Sequence, residues 1–127
     1  MNTLEINKSL KSVDTQLLKR QFNGKGEVKG FRFNQLARND FAVIYEKRYL
    51  STCIISYEVF ELKINTRFNS ESYPTSKAFG VWAWEVATLE KALQRMKDIS
   101  IRVKARQQKK INRIKRFFDL KYYICCS

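Results

Sequence analysis

Apolar residues near the start of the chain recur at the spacing of one helix face. Four of them are separated by 4, 3 and 4 positions, which places them on a single stripe: Ile6, Leu10, Val13 and Leu17. The pattern predicts an N-terminal helix over residues 4–22. Asn23 and Gly24 follow it, and a glycine in the left-handed conformation is a common way to end a helix.

From residue 28 to residue 65 the period changes to two, which indicates strands. Phe31 and Phe33 alternate with polar residues, and the later runs divide into two faces: Phe41, Val43 and Tyr45 against Ala42 and Ile44, then Phe60, Leu62 and Ile64 against Ile55, Tyr57 and Val59. Turns are predicted at residues 39–40 and 47–51. The run over residues 52–65 changes its apolar face near residues 57–60, which predicts a bulge or a strong twist there.

A fourth strand is predicted over residues 79–88, after a polar loop at residues 66–77. Trp82, Trp84 and Val86 alternate with smaller or polar residues, so the pattern places both tryptophans on one face. A short helical turn before Gly80 is also compatible with the sequence.

The C-terminal part of the chain has a helical pattern that changes in character along its length. Thr88 is a suitable N-cap, and a core-facing stripe follows it: Leu89, Leu93, Met96, Ile99 or Ser100, and Val103. Residues 102–116 are polar on almost every side, so this half is expected to project from the body or to cross another surface. The element spans about residues 88–121, either unbroken or with a break near residues 98–100.

These elements predict a single α+β domain with an N-terminal helix, an antiparallel sheet of three to four strands and a long basic C-terminal helix. The body is expected over residues 1–98, and a basic helical extension with an apolar tail over residues 99–127. A chain of 127 residues is long enough for one modest hydrophobic core.

Positive charge is concentrated in the C-terminal extension. The chain has 25 Lys and Arg against 12 Asp and Glu, a net charge of +13. Residues 1–98 contain 16 basic and 11 acidic groups, a net of +5, whereas residues 99–127 contain 9 and 1, a net of +8. Like charges at this density repel each other unless an anion lies nearby, so the extension indicates a polyanionic partner.

Eight basic residues within residues 102–116, with no acidic residue among them, are the candidate contacts for nucleic acid or another partner: Arg102, Lys104, Arg106, Lys109, Lys110, Arg113, Lys115 and Arg116. Such side chains bind by neutralising phosphates and releasing counterions. A solvated basic helix without a partner, or a disordered basic tail, is the alternative. The chain has no helix-turn-helix, zinc-finger or RNP motif, which favours phosphate contact over base reading.

Phe31 and Phe33 are candidate stacking residues, because exposed aromatic side chains on a sheet can stack on single-stranded bases. Aromatic residues in strands more often pack in the core, and that alternative stays open.

Catalytic and metal-binding chemistry find little support in the residue types present. The chain has no histidine, which excludes Cys/His zinc sites and histidine-dependent triads, and three cysteines are too few for a four-cysteine site. Cys53 is expected to be a small buried residue of a strand. Glu58 and Glu61 fall on opposite strand faces, and Glu85 and Glu90 lie on either side of a strand–helix boundary, so neither pair makes an acid–base site. We therefore expect no enzyme, metal or cofactor.

A cytoplasmic location, in a bacterial host cell, is expected from the same sequence. No apolar run is long enough to span a bilayer, and residues 1–8 lack the basic-then-apolar pattern of a secretory signal. The basic helix also lacks a continuous apolar face for a membrane surface.

Part of the middle of the chain resembles small uncharacterised proteins of bacterial phages and mobile elements. The resemblance is carried by four segments: Tyr57-Glu-Val-Phe-Glu-Leu-Lys-Ile64, Tyr73-Pro74, Phe79-Gly-Val-Trp-Ala-Trp84 and Thr88-Leu-Glu-Lys-Ala-Leu93. It implies a strand–loop–strand–helix module and brings no catalytic residues. By analogy of size, charge and suspected origin, proteins of this kind include inhibitors of CRISPR nucleases, which act by binding an effector or its guide RNA.

Three functions follow as hypotheses. The first is a non-catalytic binder of nucleic acid, with RNA or single strands favoured, that uses the C-terminal helix. The second is a phage-encoded inhibitor of a nucleic-acid enzyme, such as a CRISPR effector, and the third is a phage structural protein associated with the genome. The oligomeric state is left open.

Overall fold

The computed structural model of the chain describes the backbone of residues 14–126 and the side chains of residues 14–119. In chain order its elements are β1 (Gln21–Asn23), a 3-10 turn (Gly26–Val28), β2 (Phe31–Arg38), β3 (Ala42–Tyr49), β4 (Ile55–Glu61), β5 (Ile64–Asn65), β6 (Ser70–Glu71), a second 3-10 turn (Ser76–Ala78), β7 (Ala83–Val86) and α1 (Leu89–Cys126).

Five strands, and not the predicted three to four, form one antiparallel sheet in the order β1-β2-β3-β4-β7. The short strands β5 and β6 form a separate antiparallel pair. The chain is therefore α+β in the coarse sense, but the described part is dominated by the sheet and carries one α-helix, at its C-terminal end.

The sheet is covered on both faces, which explains the alternation along its central strands. On one face, Ala42, Ile44 and Val59 pack against the first turns of α1. On the other face, Val43, Tyr45 and Phe60 form an aromatic core with Phe33. The alternation predicted for β3 and β4 is confirmed, because successive side chains of a strand point to opposite faces.

Among the described residues, the second face is covered by loop and 3-10 segments and not by an α-helix. The cover comes from Leu18 before β1, from Val28 in the 3-10 turn after it, and from residues 73–82, including Tyr73 and Phe79. Phe22 of β1 stacks on Phe33, with ring centroids 4.7 Å apart and planes inclined by 11°. These contacts place the N-terminal part of the described chain firmly against the sheet.

The predicted N-terminal helix is wrong for the residues that the structure describes. The part of it before residue 14 lies outside them, and residues 14–20 contain no helix. Instead, the backbone of Gln16 pairs with the β6 segment, donating to Asn69 O at 2.9 Å and accepting from Glu71 N at 2.9 Å. Residues 21 and 22, also assigned to that helix, belong to β1. Long-range backbone pairing and burial of Phe22 outweigh the local apolar spacing.

Gly24 has a different role from the predicted one. It follows β1 and donates its N–H to Phe31 O at 2.8 Å, so it belongs to the connection between β1 and β2. An added Cβ at Gly24 would lie 1.9 Å from the carbonyl oxygen of Val28. Glycine is needed here for space and not to end a helix.

Three further expectations for the strands need correction. The pairing of β3 with β4 is regular over residues 55–61, and the register shift lies in β2, between Gln35 and Ala37. Trp82 packs with the aromatic core but Trp84 packs with α1, because β7 begins only at Ala83. Cys53 is exposed in the turn between β3 and β4, not buried in a strand.

The helix α1 begins where the sequence predicts. The Oγ1 atom of Thr88 accepts a hydrogen bond from Lys91 N at 3.2 Å, as an N-cap does. The helix continues without a break through residues 98–100 to Cys126. Its packing on the sheet extends past residue 99, since Ile99 belongs to the core cluster of this face and Val103 packs against that cluster.

A buried ion pair holds three separate parts of the chain together. The Glu71 side chain is fully buried and accepts from both guanidinium nitrogens of Arg38, at the end of β2. It also accepts from Leu18 N at 3.0 Å. Removing the carboxylate would therefore leave a guanidinium and a backbone N–H without their acceptor, which is costly in a protein interior.

We predict that Glu71→Ala lowers the free energy of unfolding by about 3 kcal/mol, measured by urea denaturation. Arg48→Ala is the control, because Arg48 forms a surface ion pair with Glu46 at 3.3 Å and is 45% exposed. Its cost should be below about 1 kcal/mol. Equal costs for the two variants would contradict the anchoring role of Glu71.

Candidate nucleic-acid interface

The direction of each α1 side chain follows from the rotation of 100° per residue along a helix. Ala92, Met96, Ile99 and Val103 lie on the side that faces the sheet. The last of these contacts is followed by more than five further helical turns, up to Cys126. Most side chains of residues 104–119 are exposed, so the second half of α1 projects from the body.

Between residues 95 and 116, six basic residues lie in one row along a single flank of α1. Their spacings are 7, 4, 3, 4 and 3 residues, which keeps them within about 80° of each other around the helix. We call these residues the basic row: Arg95, Arg102, Arg106, Lys109, Arg113 and Arg116. The row is about 32 Å long, at 1.5 Å per residue.

The remaining candidate cations of α1 do not join this row. Lys104 and Lys115 lie on the other flank, together with Lys97. Lys104 is held against Phe41, with its Nζ 5.4 Å from the ring centroid. Lys110 lies in line with the sheet-facing side but beyond the end of the contact, where it is exposed. Five of the eight candidate residues therefore belong to the basic row, and the other three do not.

Ion pairing inside the protein leaves most of the row uncompensated. Among the described residues, Arg106 is the member of the row that forms an ion pair, donating to Glu61 at 2.6 Å. No acidic side chain of the described residues lies within 4.0 Å of the cationic nitrogens of Lys109, Arg113 or Arg116. These three also line a shallow groove with Asn112.

The base of the row is built against the sheet edge. Two guanidinium groups lie over the ring of Trp84 in β7. The Cζ atoms of Arg95 and Arg102 are 4.7 Å and 5.7 Å from the ring centroid. Glu61 at the end of β4 accepts from Arg106 and from Lys63, which lies 3.1 Å away. Cation–π contacts and the shared carboxylate hold the arginines in an extended arrangement on this flank.

The two candidate stacking residues differ in their exposure. Phe33 is fully buried and stacks on Phe22. Phe31 is half-buried between Tyr49 and the ammonium of Lys47, which lies 4.4 Å from its ring centroid. Phe33 is therefore a core residue, as the alternative interpretation has it. The ring of Phe31 contacts Tyr49 and Lys47.

Several residues of this surface were not predicted from the sequence as contacts for a partner. Arg95 precedes the acid-free segment, but its spacing of seven from Arg102 is a signal that a helical projection would have found. Glu61, Lys63 and Trp84 lie on the sheet or after it, and only the packing of α1 brings them to the row.

A second polar cluster lies on the opposite face of the sheet. Glu58 and Glu85 are direct cross-strand partners, and Lys47 lies between them at 3.6 and 3.3 Å. The hydroxyl of Tyr73 donates to Glu58. The cluster borders an open cavity of about 590 Å³. Lys47 pairs with both carboxylates, and Ser56 and Tyr73 donate hydrogen bonds to them, so the cluster is a structural network in a position that sequence spacing did not reveal.

The two glutamates of β4 have opposite pKa shifts. Burial raises the pKa of Glu58 above its ordinary value of 4.5, and the hydrogen bond from Tyr73 and the charge of Lys47 offset this only in part. Burial alone would also raise the pKa of Glu61, but hydrogen bonds from Arg106 and Lys63 outweigh it and lower the pKa.

Within the part of the chain that the structure describes, no three metal-ligating side chains converge on a common point. Over those same residues, no helix combines the length and the apolar character that a bilayer crossing requires. Comparison of the chain with protein-family models, with curated proteins and with solved structures gives no match.

We predict that Glu58→Gln and Glu61→Gln change the pH dependence of stability in opposite directions. Folded Glu58 retains its proton above pH 4.5, so its contribution is fully present below that pH and is lost as the pH rises through the folded pKa. Folded Glu61 loses its proton below pH 4.5, so its contribution is present above that pH and is lost as the pH falls through the folded pKa.

Urea denaturation between about pH 2.5 and about pH 8 checks this, because the Glu61 contribution is lost only below pH 4.5. Relative to the unmodified protein, Glu58→Gln should become more stable as the pH rises, and Glu61→Gln should become less stable. Parallel curves for the two variants would show that the environments of these carboxylates are not as described.

Proposed function

We propose that this protein is a non-catalytic binder of nucleic acid that contacts the phosphate backbone through the basic row of α1. The observation that carries the proposal is the row itself: six cations on one flank of a helix whose second half has no sheet beneath it. A helix of this kind is a rigid support, so its charges stay in line without the entropic cost of ordering a flexible tail.

The length of the row suits a polyanion better than a small anion. The members from Arg102 to Arg116 extend over about 21 Å, at 1.5 Å per residue. Each strand of a duplex carries a phosphate about every 3.4 Å along its axis, so several phosphates come within reach at once. A small anion would neutralise one or two of these cations and leave the others in mutual repulsion.

Support is stronger for phosphate contact than for base reading. Arginine and lysine make up the row, and both bind phosphates through charge-assisted hydrogen bonds. The preference for RNA or single strands, which the sequence suggested, leaned partly on base stacking by Phe31 and Phe33. Since Phe33 is buried and the Phe31 ring already contacts Tyr49, the proposal is for backbone binding, and the preferred type of strand is to be measured.

We predict that replacing Lys109, Arg113 and Arg116 together by glutamine weakens binding to oligonucleotides by at least about tenfold at moderate salt. The loss of three phosphate contacts should also reduce the slope of log K against log salt by about 2 to 3. Fluorescence anisotropy at several salt concentrations measures both quantities, for single-stranded RNA, single-stranded DNA and duplexes.

The matched control replaces Lys97, Lys104 and Lys115 by glutamine, which removes the same charge from the opposite flank of the helix. This variant should retain most of the affinity and the salt slope. Circular dichroism should show unchanged helix content for both, because all six side chains are exposed.

Equal losses in the two variants would mean that net charge matters and the row does not, which contradicts the proposal. Absence of salt-dependent binding to any naked nucleic acid would also contradict it. That result would favour the alternative of an inhibitor whose helix enters the substrate groove of a nucleic-acid enzyme.

A further inference from the structure

A cleft opens at the base of the basic row, between α1 and the ends of β4 and β7. Glu61, Ile99, Arg102 and Arg106 border it on the sheet and helix sides, and Lys63, Val81, Trp82 and Trp84 complete its wall. Its volume is about 210 Å³. Sites for drug-sized ligands are usually about 300–1,000 Å³, so this cleft suits one unit of a longer ligand.

The cleft has a net positive charge and its cations are already positioned. Three cationic side chains face one carboxylate, and Glu61 holds two of them, Lys63 at 3.1 Å and Arg106 at 2.6 Å. A guanidinium has five N–H donors, and Glu61 accepts from only two of the nitrogens of Arg106. Arg106 remains 57% exposed, so donors are left for a second acceptor.

An apolar wall stands beside these cations. Val81 is 68% exposed, and Trp82 lies next to it with the ammonium of Lys63 5.5 Å from its ring centroid. Flat apolar surfaces adjacent to cations suit a nucleotide, which joins a planar base to a phosphate. The polar cluster around Lys47, on the other face of the sheet, lacks such uncompensated cations.

From this arrangement we propose that the cleft binds one nucleotide unit of the strand that the basic row contacts, with the phosphate at Lys63, Arg102 and Arg106 and the base against Val81 and Trp82. The inference rests on the proposed function and adds a defined site to it. It also gives the row a direction, because the nucleotide held in the cleft fixes where the strand begins along α1.

The protein contains two tryptophans, and both line the cleft, so intrinsic fluorescence reports directly on its occupancy. Titration with a nucleoside 5′-monophosphate should give a saturable change in emission. The matching nucleoside, which lacks the phosphate, should bind at least about tenfold more weakly, as should inorganic phosphate, which lacks the base.

Arg102→Gln and Lys63→Gln test the phosphate contacts and should each weaken binding of the monophosphate by about tenfold. Arg102 is exposed and the Lys63 side chain is 40% exposed, and circular dichroism serves to confirm that the variants fold. The triple glutamine variant of Lys109, Arg113 and Arg116 is the matched control. It should bind the monophosphate as the unmodified protein does, although it binds oligonucleotides weakly.

The outcomes separate this inference from the function on which it rests. Oligonucleotide binding without any saturable response to the monophosphate would overturn the nucleotide site and leave backbone binding intact. Inorganic phosphate that binds as tightly as the monophosphate would overturn the role of the apolar wall. An unmodified protein that binds neither oligonucleotides nor the monophosphate would overturn both proposals.

Discussion

The structure depends on a mismatch of length between one helix and the sheet that it covers. α1 has 38 residues, about 57 Å at 1.5 Å per residue, whereas the contact from Ala92 to Val103 extends over only about 17 Å. The first turns of the helix cover one face of the sheet and gain most of its tertiary stabilisation. The remainder has no sheet beneath it, so its side chains must suit water or a partner, and it is there that the basic residues are concentrated.

The transition between the two halves lies at Glu61, where the helix leaves the sheet. The Glu61 carboxylate is only 12% exposed, and its ion pairs with Arg106 and Lys63 stabilise its charge. The same ion pairs orient the two cations along the flank. Trp84 does the same for Arg95 and Arg102 through its ring face. The end of the sheet therefore organises the start of the basic row, and the proposed nucleotide cleft lies at the junction.

Local patterns were reliable where burial follows from strand alternation or helical stripes. Val43 and Ile44 were assigned to opposite faces, and the N-cap at Thr88 was found, because each depends on neighbours in sequence. The helical spacing that ends at Leu17 gave a wrong prediction for residues 14–20, since Gln16 pairs with a strand more than fifty residues later. The same limit applied to the site: Arg102 and Arg113 were identified from charge alone, but Glu61 and Trp84 acquire their roles only through contact with α1.

By itself, the sequence determined the antiparallel core strands, the start of the long helix and the accumulation of positive charge in its second half, because these follow from periodicity and composition. The tertiary structure alone decided that residues 14–20 form no helix and pair with β6, and that the cations separate into a row and an opposite flank. It also decided that a tryptophan, a carboxylate and a lysine from the sheet meet that row. The physical reason is that long-range pairing and packing on a shared surface join residues whose separation along the chain carries no local signal.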